Sequence, residues 1–258
     1  MHACSHVVSR LRIAMGTFVA IEAQARDPAI AALGAAAAFE AIATVEQLMH
    51  PSRAGSDLAA LASCPPGTPL ILHSWTWEVL ELCQRLNRLS RGGFDPCLHV
   101  APGRMRDLEL TGPRGVLPHS ELRVDLGGIA KGYAVDRAID ALRTAGCEGG
   151  LVNAGGDLAV FGAGRHEIVC RDPHGTAAVI ALNNTALASS NSEQSSRPSE
   201  HRGYYHGVHR TSLISGKATV IAGCAAVADA LTKCLLLGDR TLSRTLLELF
   251  AAKQVEYL

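Results

Sequence analysis

Apolar and polar residues alternate through residues 7–25 on both sides of Met15-Gly16-Thr17, as in Arg12-Ile13-Ala14 and Phe18-Val19-Ala20-Ile21-Glu22. A period of two around a glycine predicts a strand or hairpin. Asp27-Pro28 then opens a helical run from Ala29 to Met49. In it Leu33, Ala37, Ile42, Val45 and Leu48 recur at near-helical intervals until Pro51 stops the pattern. The polar stretch Ser52-Arg53-Ala54-Gly55-Ser56 reads as a loop. Trp75, Val79, Leu82, Leu86 and Leu89 mark a further helical face, closed by Arg91-Gly92-Gly93. Phe94-Asp95-Pro96 turns the chain into an irregular segment that reaches about Ser120.

From Leu122 the pattern becomes strand, turn, helix and strand: Leu122–Leu126, then Ile129–Ala145 with Ile129, Tyr133, Ala134, Ala138 and Leu142 at helical spacing, then Gly150–Asn153. A second glycine turn, Asn153-Ala154-Gly155-Gly156-Asp157, follows. The first turn, Asp125-Leu126-Gly127-Gly128, leads into a helix start, where unpaired N–H groups favour phosphate and glycines let a ligand approach the main chain. The same residues also suit an ordinary strand-to-helix connection, with glycine for steric reasons and charges for solvation. Neither G-x-G-x-x-G nor G-x-x-x-x-G-K-[ST] is present, so no Walker-type nucleotidase follows.

Beyond it, His166–Arg171, Ala177–Leu182 and Ala218–Ala222 read as strands, and a long polar stretch runs from Ser189 to His209. Two helices, roughly Ala225–Leu237 and Leu242–Phe250, and a short strand at Val255-Glu256-Tyr257 close the chain. No repeat or linker divides it, so residues 1–258 are expected to form a single domain.

Composition narrows the function classes. Twenty-four Lys and Arg balance 24 Asp and Glu, which gives no basic patch for nucleic acid. Eight cysteines are scattered through apolar runs without a C-x-x-C pair, as small buried hydrophobes would be in a reducing compartment, and no zinc spacing occurs. The first residues lack a basic start and a long apolar core, Cys4 does not read as a lipoprotein cysteine, and no segment approaches the ~20 apolar residues of a membrane span. The expectation is a soluble, cytoplasmic protein.

Among the carboxylates, Asp95 and Asp125 sit at turns, whereas Asp229 stands inside an otherwise apolar helix. A buried carboxylate needs a cation or several hydrogen bonds. Mg²⁺ would satisfy Asp229, with the Thr232 hydroxyl and a glycine-turn carbonyl as further oxygen ligands. The alternative is a solvated helix face carrying Asp229 and Lys233 as an i,i+4 pair worth about 0.3–0.5 kcal/mol. His201, His206 and His209 cluster with Tyr204 and Tyr205, and neither H-E-x-x-H nor G-x-S-x-G occurs.

Six motifs in order carry a resemblance over nearly the whole chain. They are Met15-Gly16-Thr17 with the Ser52–Ser56 loop, Gly93-Phe94-Asp95-Pro96, Asp125 to Asp136, Val152 to Asp157, Ala186-Leu187-Ala188-Ser189-Ser190, and Thr219 to Ala222 with Ala228 to Lys233. In this the chain resembles the ApbE family of FAD:protein FMN transferases, which cleave FAD and attach FMN through its phosphate to a threonine of a target protein. The resemblance implies an α+β, T-fold-like domain with a mixed sheet core and flanking helices. It implies FAD contacts at Met15, Ser52, Gly93, Phe94, Asp95, Asp125 and Lys131, and Mg²⁺ held by the Gly128 carbonyl, Asp229 and Thr232. His206 and Asp229 are the implied catalytic residues, and the partners are FAD and a protein acceptor. Three departures stand out. Lys233 replaces a hydroxyl four residues after the aspartate, Thr-Ser-Gly becomes Ser189-Ser190-Asn191, and the His-x-x-Asp-Pro segment becomes His206-Gly207-Val208-His209-Arg210-Thr211. A non-catalytic FAD-binding protein and an FAD pyrophosphatase giving FMN and AMP are the alternatives that share the same residues.

Overall fold

The computed structural model describes residues 5–171, 177–192 and 216–256. Strands β1 (His6–Ala14) and β2 (Thr17–Ala25) form the expected hairpin, with Met15 and Gly16 at its turn, both at positive φ. Helix α1 (Pro28–Met49) starts where Asp27 accepts a hydrogen bond from the Ala29 amide at 2.8 Å, with Pro28 in its first turn. Helix α2 (Asp57–Ser63) is capped by Ser56, whose hydroxyl accepts from Ala59 at 3.0 Å; seven residues are too few to show a period in sequence. Then come β3 (Leu70–Ile71), α3 (Ser74–Leu89), β4 (Leu108–Leu110) and β5 (Gly115–Pro118). The segment expected to be irregular holds two of the three strands of this small sheet, ordered β3-β5-β4.

Helix α4 (Ala130–Thr144) leads into β6 (Gly149–Ala154), β7 (Asp157–Phe161), β8 (His166–Arg171), β9 (Ala177–Leu182), β10 (Ala186–Asn191) and β11 (Lys217–Ala222). Helices α5 (Ala225–Leu235) and α6 (Arg240–Leu249) and strand β12 (Lys253–Gln254) complete the order. The last strand lies two residues before its expected position. Leu122–Leu126 is not a strand: only Val124 makes a bridge, to Cys97, because the chain turns into α4 before a ladder can extend.

The main sheet has seven strands in the order β1-β2-β6-β7-β10-β11-β12. The α+β class is as expected, but every pairing among the described strands is antiparallel, so the core sheet is not a mixed one. Short turns join β1 to β2 and β6 to β7, a connection that only antiparallel neighbours allow. Helices α1, α4 and α5 pack against the sheet, α1 on β1 and β2, α4 on β6 and β7, and α5 on β10 and β11. Val19, Ile21, Ala23 and Ala25 alternate inward from β2 to meet them. The paired strands β8 and β9 contribute Cys170 and Leu182 to a second, smaller core with Leu158, Val160 and Leu187. Strand β7 is therefore buried along its whole length.

Helix α1, at 22 residues, is long and apolar enough to cross a membrane by length and composition, closer to a span than its sequence reading suggested. Its apolar character has a local cause. Ala31, Ala35, Ala38 and Ile42 are buried in the main core, where small residues let α1 and α4 approach closely.

Helices α4 and α5 meet at Gly132, where an added Cβ would lie 2.2 Å from the Ala225 carbonyl oxygen and 2.8 Å from Asp229 Cβ. Backbone cannot yield as a side-chain tip can, so Gly132→Ala is expected to destabilise the chain by about 1–3 kcal/mol, read as a lower urea midpoint at unchanged slope.

Candidate functional site

The motifs gather at one end of the main sheet. Pairing of Val19 with Ala154 sets the β1–β2 turn beside the Gly155-Gly156 turn, and a Cβ on Gly155 would meet Thr17 Oγ1 at 2.4 Å. Antiparallel pairing of β7 with β10, and of β10 with β11, brings Ser189, Ser190 and Lys217 to the same end. Met15 donates its amide to Glu46 on α1 at 3.1 Å, and Arg53 reaches the same carboxylate at 3.8 Å, which ties the loop of exposed Ser52 to the hairpin turn.

Gly93, Phe94 and Asp95 are joined to the Asp125 turn through the main chain. The Asp125 amide donates to Pro96 O at 2.9 Å, and Leu98 donates to Arg123 O at 2.7 Å. Phe94 is fully buried, and its carbonyl accepts from Asn87 at 2.8 Å. Asp95 accepts from the amides of Cys97 at 2.9 Å and Met105 at 3.3 Å; burial raises its carboxyl above the ordinary value against the pull of these bonds. Asp125 accepts from Gly127 at 2.8 Å, which folds the glycine turn back before α4 and leaves Gly128 buried next to the helix start. His206 lies outside the described residues, as do the other two histidines of its cluster.

The charges are concentrated at the junction of α4, α5 and β7. Lys131, in the first turn of α4, is ion-paired to Asp157 at the start of β7, and Lys233 is ion-paired to Asp229 on α5. Asp157 and Asp229 are fully buried, and Lys233 is only 4% exposed. Lys131 alone of the four keeps a partly exposed side chain. The i,i+4 pair is thus as the spacing suggested, but it is enclosed rather than on a solvated face. Burial and the nearby Asp229 charge push the Asp157 carboxyl up, while Lys131 and Lys233 pull it back.

The two helices also exchange caps. Asp136 of α4 accepts from the amides of Ala225 and Ala226 at 2.7 and 2.8 Å, which closes the start of α5. Asp229 of α5 returns the favour to α4, accepting from the Gly132 amide at 3.1 Å. Contacts 132 to 229 and 136 to 225 are those of antiparallel helices.

The side chains expected to hold Mg²⁺ do not fit that ion as they stand. One oxygen of Asp229 is bound by Lys233 and the other by Gly132. The Thr232 hydroxyl donates to Asp229 O at 2.6 Å and meets Ser190 Oγ at 2.7 Å. Asp157 Oδ1 is buried without a hydrogen-bond partner, but one open oxygen falls far short of the octahedral set Mg²⁺ requires. No cluster of three or more His, Cys, Asp or Glu suited to a metal occurs among the described residues. The described cysteines are free thiols, and burial raises those of Cys83, Cys97 and Cys234, as expected of inert core residues.

Asp157, Asp136 and Gly132 received no role from sequence reasoning. The signal for Asp157 was an acid placed between a Gly-Gly turn and the apolar run Leu158 to Phe161. That for Asp136 was a carboxylate one turn after the apolar Tyr133 face of its helix. A cavity of about 280 Å³ between Glu78, Tyr133, Arg137, Thr185 and Cys224 includes none of the predicted site residues.

A family model described as the ApbE family matches residues 15–102 and 97–258. The chain belongs to the ApbE family. A curated relative, the FAD:protein FMN transferase of Treponema pallidum (strain Nichols), is 24% identical over 221 residues, 67% of this chain. The matched part spans 60% of that relative's length. The apo structure of Pseudomonas stutzeri flavinyl transferase ApbE superposes with a TM-score of 0.81 at 20% identity, covering 97% of this chain and 90% of that one. The ApbE protein from Thermotoga maritima gives 0.78 at 21% identity, with 95% and 91% covered. At this identity the likeness shows that the ApbE fold is shared across nearly the whole chain.

Removing Asp229 strands a buried ammonium and uncaps α4, so the carboxylate has a structural role. Asp229→Ala is expected to cost about 3–5 kcal/mol in chemical denaturation, and adding Lys233→Met to recover part of that loss. Asp136 generates a pH dependence: burial pushes its carboxyl from the ordinary 3.8 up to about 6. The stability this group contributes is full below about pH 4 and lost as pH rises through 6. The urea-measured stability gap between the native chain and Asp136→Asn should therefore be wider at pH 5 than at pH 7.5, by about 1 kcal/mol.

Proposed function

We propose that this protein transfers FMN from FAD to a threonine hydroxyl of an acceptor protein, releasing AMP. What carries the reading is that the motifs of an ApbE chain converge on one sheet end around Lys131, a partly exposed ammonium held by a buried carboxylate. The pyrophosphate of FAD needs cationic donors, and the partly exposed Lys131 side chain in the first turn of α4 offers one. Gly93, Asp95 and Asp125 shape the neighbouring turns, and the hairpin turn at Met15 with the Ser52 loop borders the same end.

In the transfer, a new P–O bond forms between the threonine oxygen and the FMN phosphorus. The bridging P–O bond to AMP breaks, and the hydroxyl proton is released. Such a reaction asks for positioning and charge compensation more than covalent chemistry. Lys131 would bind a phosphate oxygen and steady the developing charge, oriented by Asp157. His206 is the catalytic histidine that the family resemblance implies. Mg²⁺, the ion the family resemblance calls for, would neutralise phosphate charge when bound, but Lys233 already holds Asp229, the carboxylate that would take it.

Incubation with FAD and an acceptor bearing the target threonine should give a covalent FMN adduct and AMP by mass spectrometry. Free FMN with AMP would instead mark hydrolysis, and unchanged bound FAD a binding protein. Lys131→Met, with its fold verified by circular dichroism, should weaken FAD binding by about 10- to 100-fold, the worth of one charge-assisted phosphate contact.

A further inference from the structure

The local geometry of α5 decides what stands at Asp229. Helical side chains lean toward the N-terminus, so a long side chain at i+4 lies back over residue i. Lys233 does this, and its ammonium reaches Asp229 Oδ1. With only 4% of its surface exposed, Lys233 is a lysine of a rare kind, since such side chains are almost never enclosed without a fixed partner. Among the described residues the groups around Asp229 are already engaged, and the one open position in the cluster is Asp157 Oδ1. The Asp229 oxygens are taken, Thr232 is turned to Ser190 and the main chain, and the Asp157 carboxylate is matched by Lys131. Two carboxylates and two ammoniums make a cluster of zero net charge, enclosed except at Lys131.

A divalent cation entering between Asp229 and the Gly128 turn would have to displace the lysine. It would then share a low-dielectric site with the displaced ammonium, whose other described acid is Asp157, a carboxylate that already carries Lys131 on one oxygen, so three cations would crowd two carboxylates. We propose that Lys233 is a tethered counter-cation that takes the place of a divalent metal at Asp229, so that this chain binds FAD with no metal ion on that carboxylate. The FAD part of this rests on the reading under Proposed function; the metal part does not. A tethered cation also differs in kind from a bound one. It is present at any metal concentration, it supplies one positive charge instead of two, and it cannot be removed by chelation.

The test uses the full chain and two separate probes. Mn²⁺ titrated into the protein alone, followed by electron paramagnetic resonance, should show no saturable site. FAD affinity, read from flavin fluorescence, should agree to within about twofold between EDTA and excess MgCl₂. Lys233→Thr, which frees Asp229 and restores a hydroxyl, should acquire one Mn²⁺ site and an FAD affinity that rises about tenfold or more with Mg²⁺. One tight Mn²⁺ per native chain, FAD binding seen only with Mg²⁺, or a folded Lys233→Thr chain that gains no site would each overturn the proposal. If that variant does not fold, the native-chain measurements decide. If the native chain binds no FAD under any condition, the flavin reading falls, and the Mn²⁺ titration still decides the role of Lys233.

Discussion

The exchange of carboxylates between α4 and α5 holds the rest of the arrangement in place. Each helix satisfies orphan amides at the start of the other, Asp136 on α5 and Asp229 on α4. The exchange works only at close range, which Gly132 allows by presenting no Cβ to the Ala225 carbonyl. Because α4 packs on β6 and β7 while α5 packs on β10 and β11, the same contacts fix the two halves of the sheet relative to each other. Lys131 and the Gly128 turn inherit their positions from this crossing.

Asp229 therefore serves two partners, the α4 start and the Lys233 ammonium, while its charge acts against that of nearby Asp157. An anion approaching this end of the sheet meets the outer cation, Lys131, while the inner one stays enclosed. The inner pair adds rigidity and cancels a charge that would otherwise repel phosphate. Burying such a pair is costly unless its hydrogen bonds are complete, and here the Gly132 amide supplies the remaining bond to the carboxylate.

Much of the fold was legible in the sequence because its periods are long and clean. The β1–β2 alternation, α1, α3, α4, α5 and α6 all follow from spacing, and Pro51 and Gly92-Gly93 mark their stops. The misses have physical causes. Strand β7 reads as a plain apolar run because both of its faces are covered, so no alternation marks it. Leu122 to Leu126 alternates like a strand yet finds only one bridge partner, since strand formation depends on a neighbour that sequence does not display. At the site, spacing gave the Asp229–Lys233 pair but not its burial, which comes from the packing of α5 against α4 and the sheet. The Gly-Gly turn before Asp157 was visible, whereas its bond to Lys131 joins residues 26 apart in sequence and had to be seen in three dimensions.

Strand β7, enclosed between the main core and the β8–β9 pair, has a consequence for motion. Segments with no water on either face open only when a large part of the domain unfolds, and their amides are among the last to exchange with solvent. Asp157 is the first residue of that strand, so the carboxylate paired with Lys131 is anchored in a fully enclosed strand, whose amides are expected to exchange slowly. The partly exposed Lys131 side chain is thus tied to a fixed anchor, which limits how far a bound phosphate could carry it.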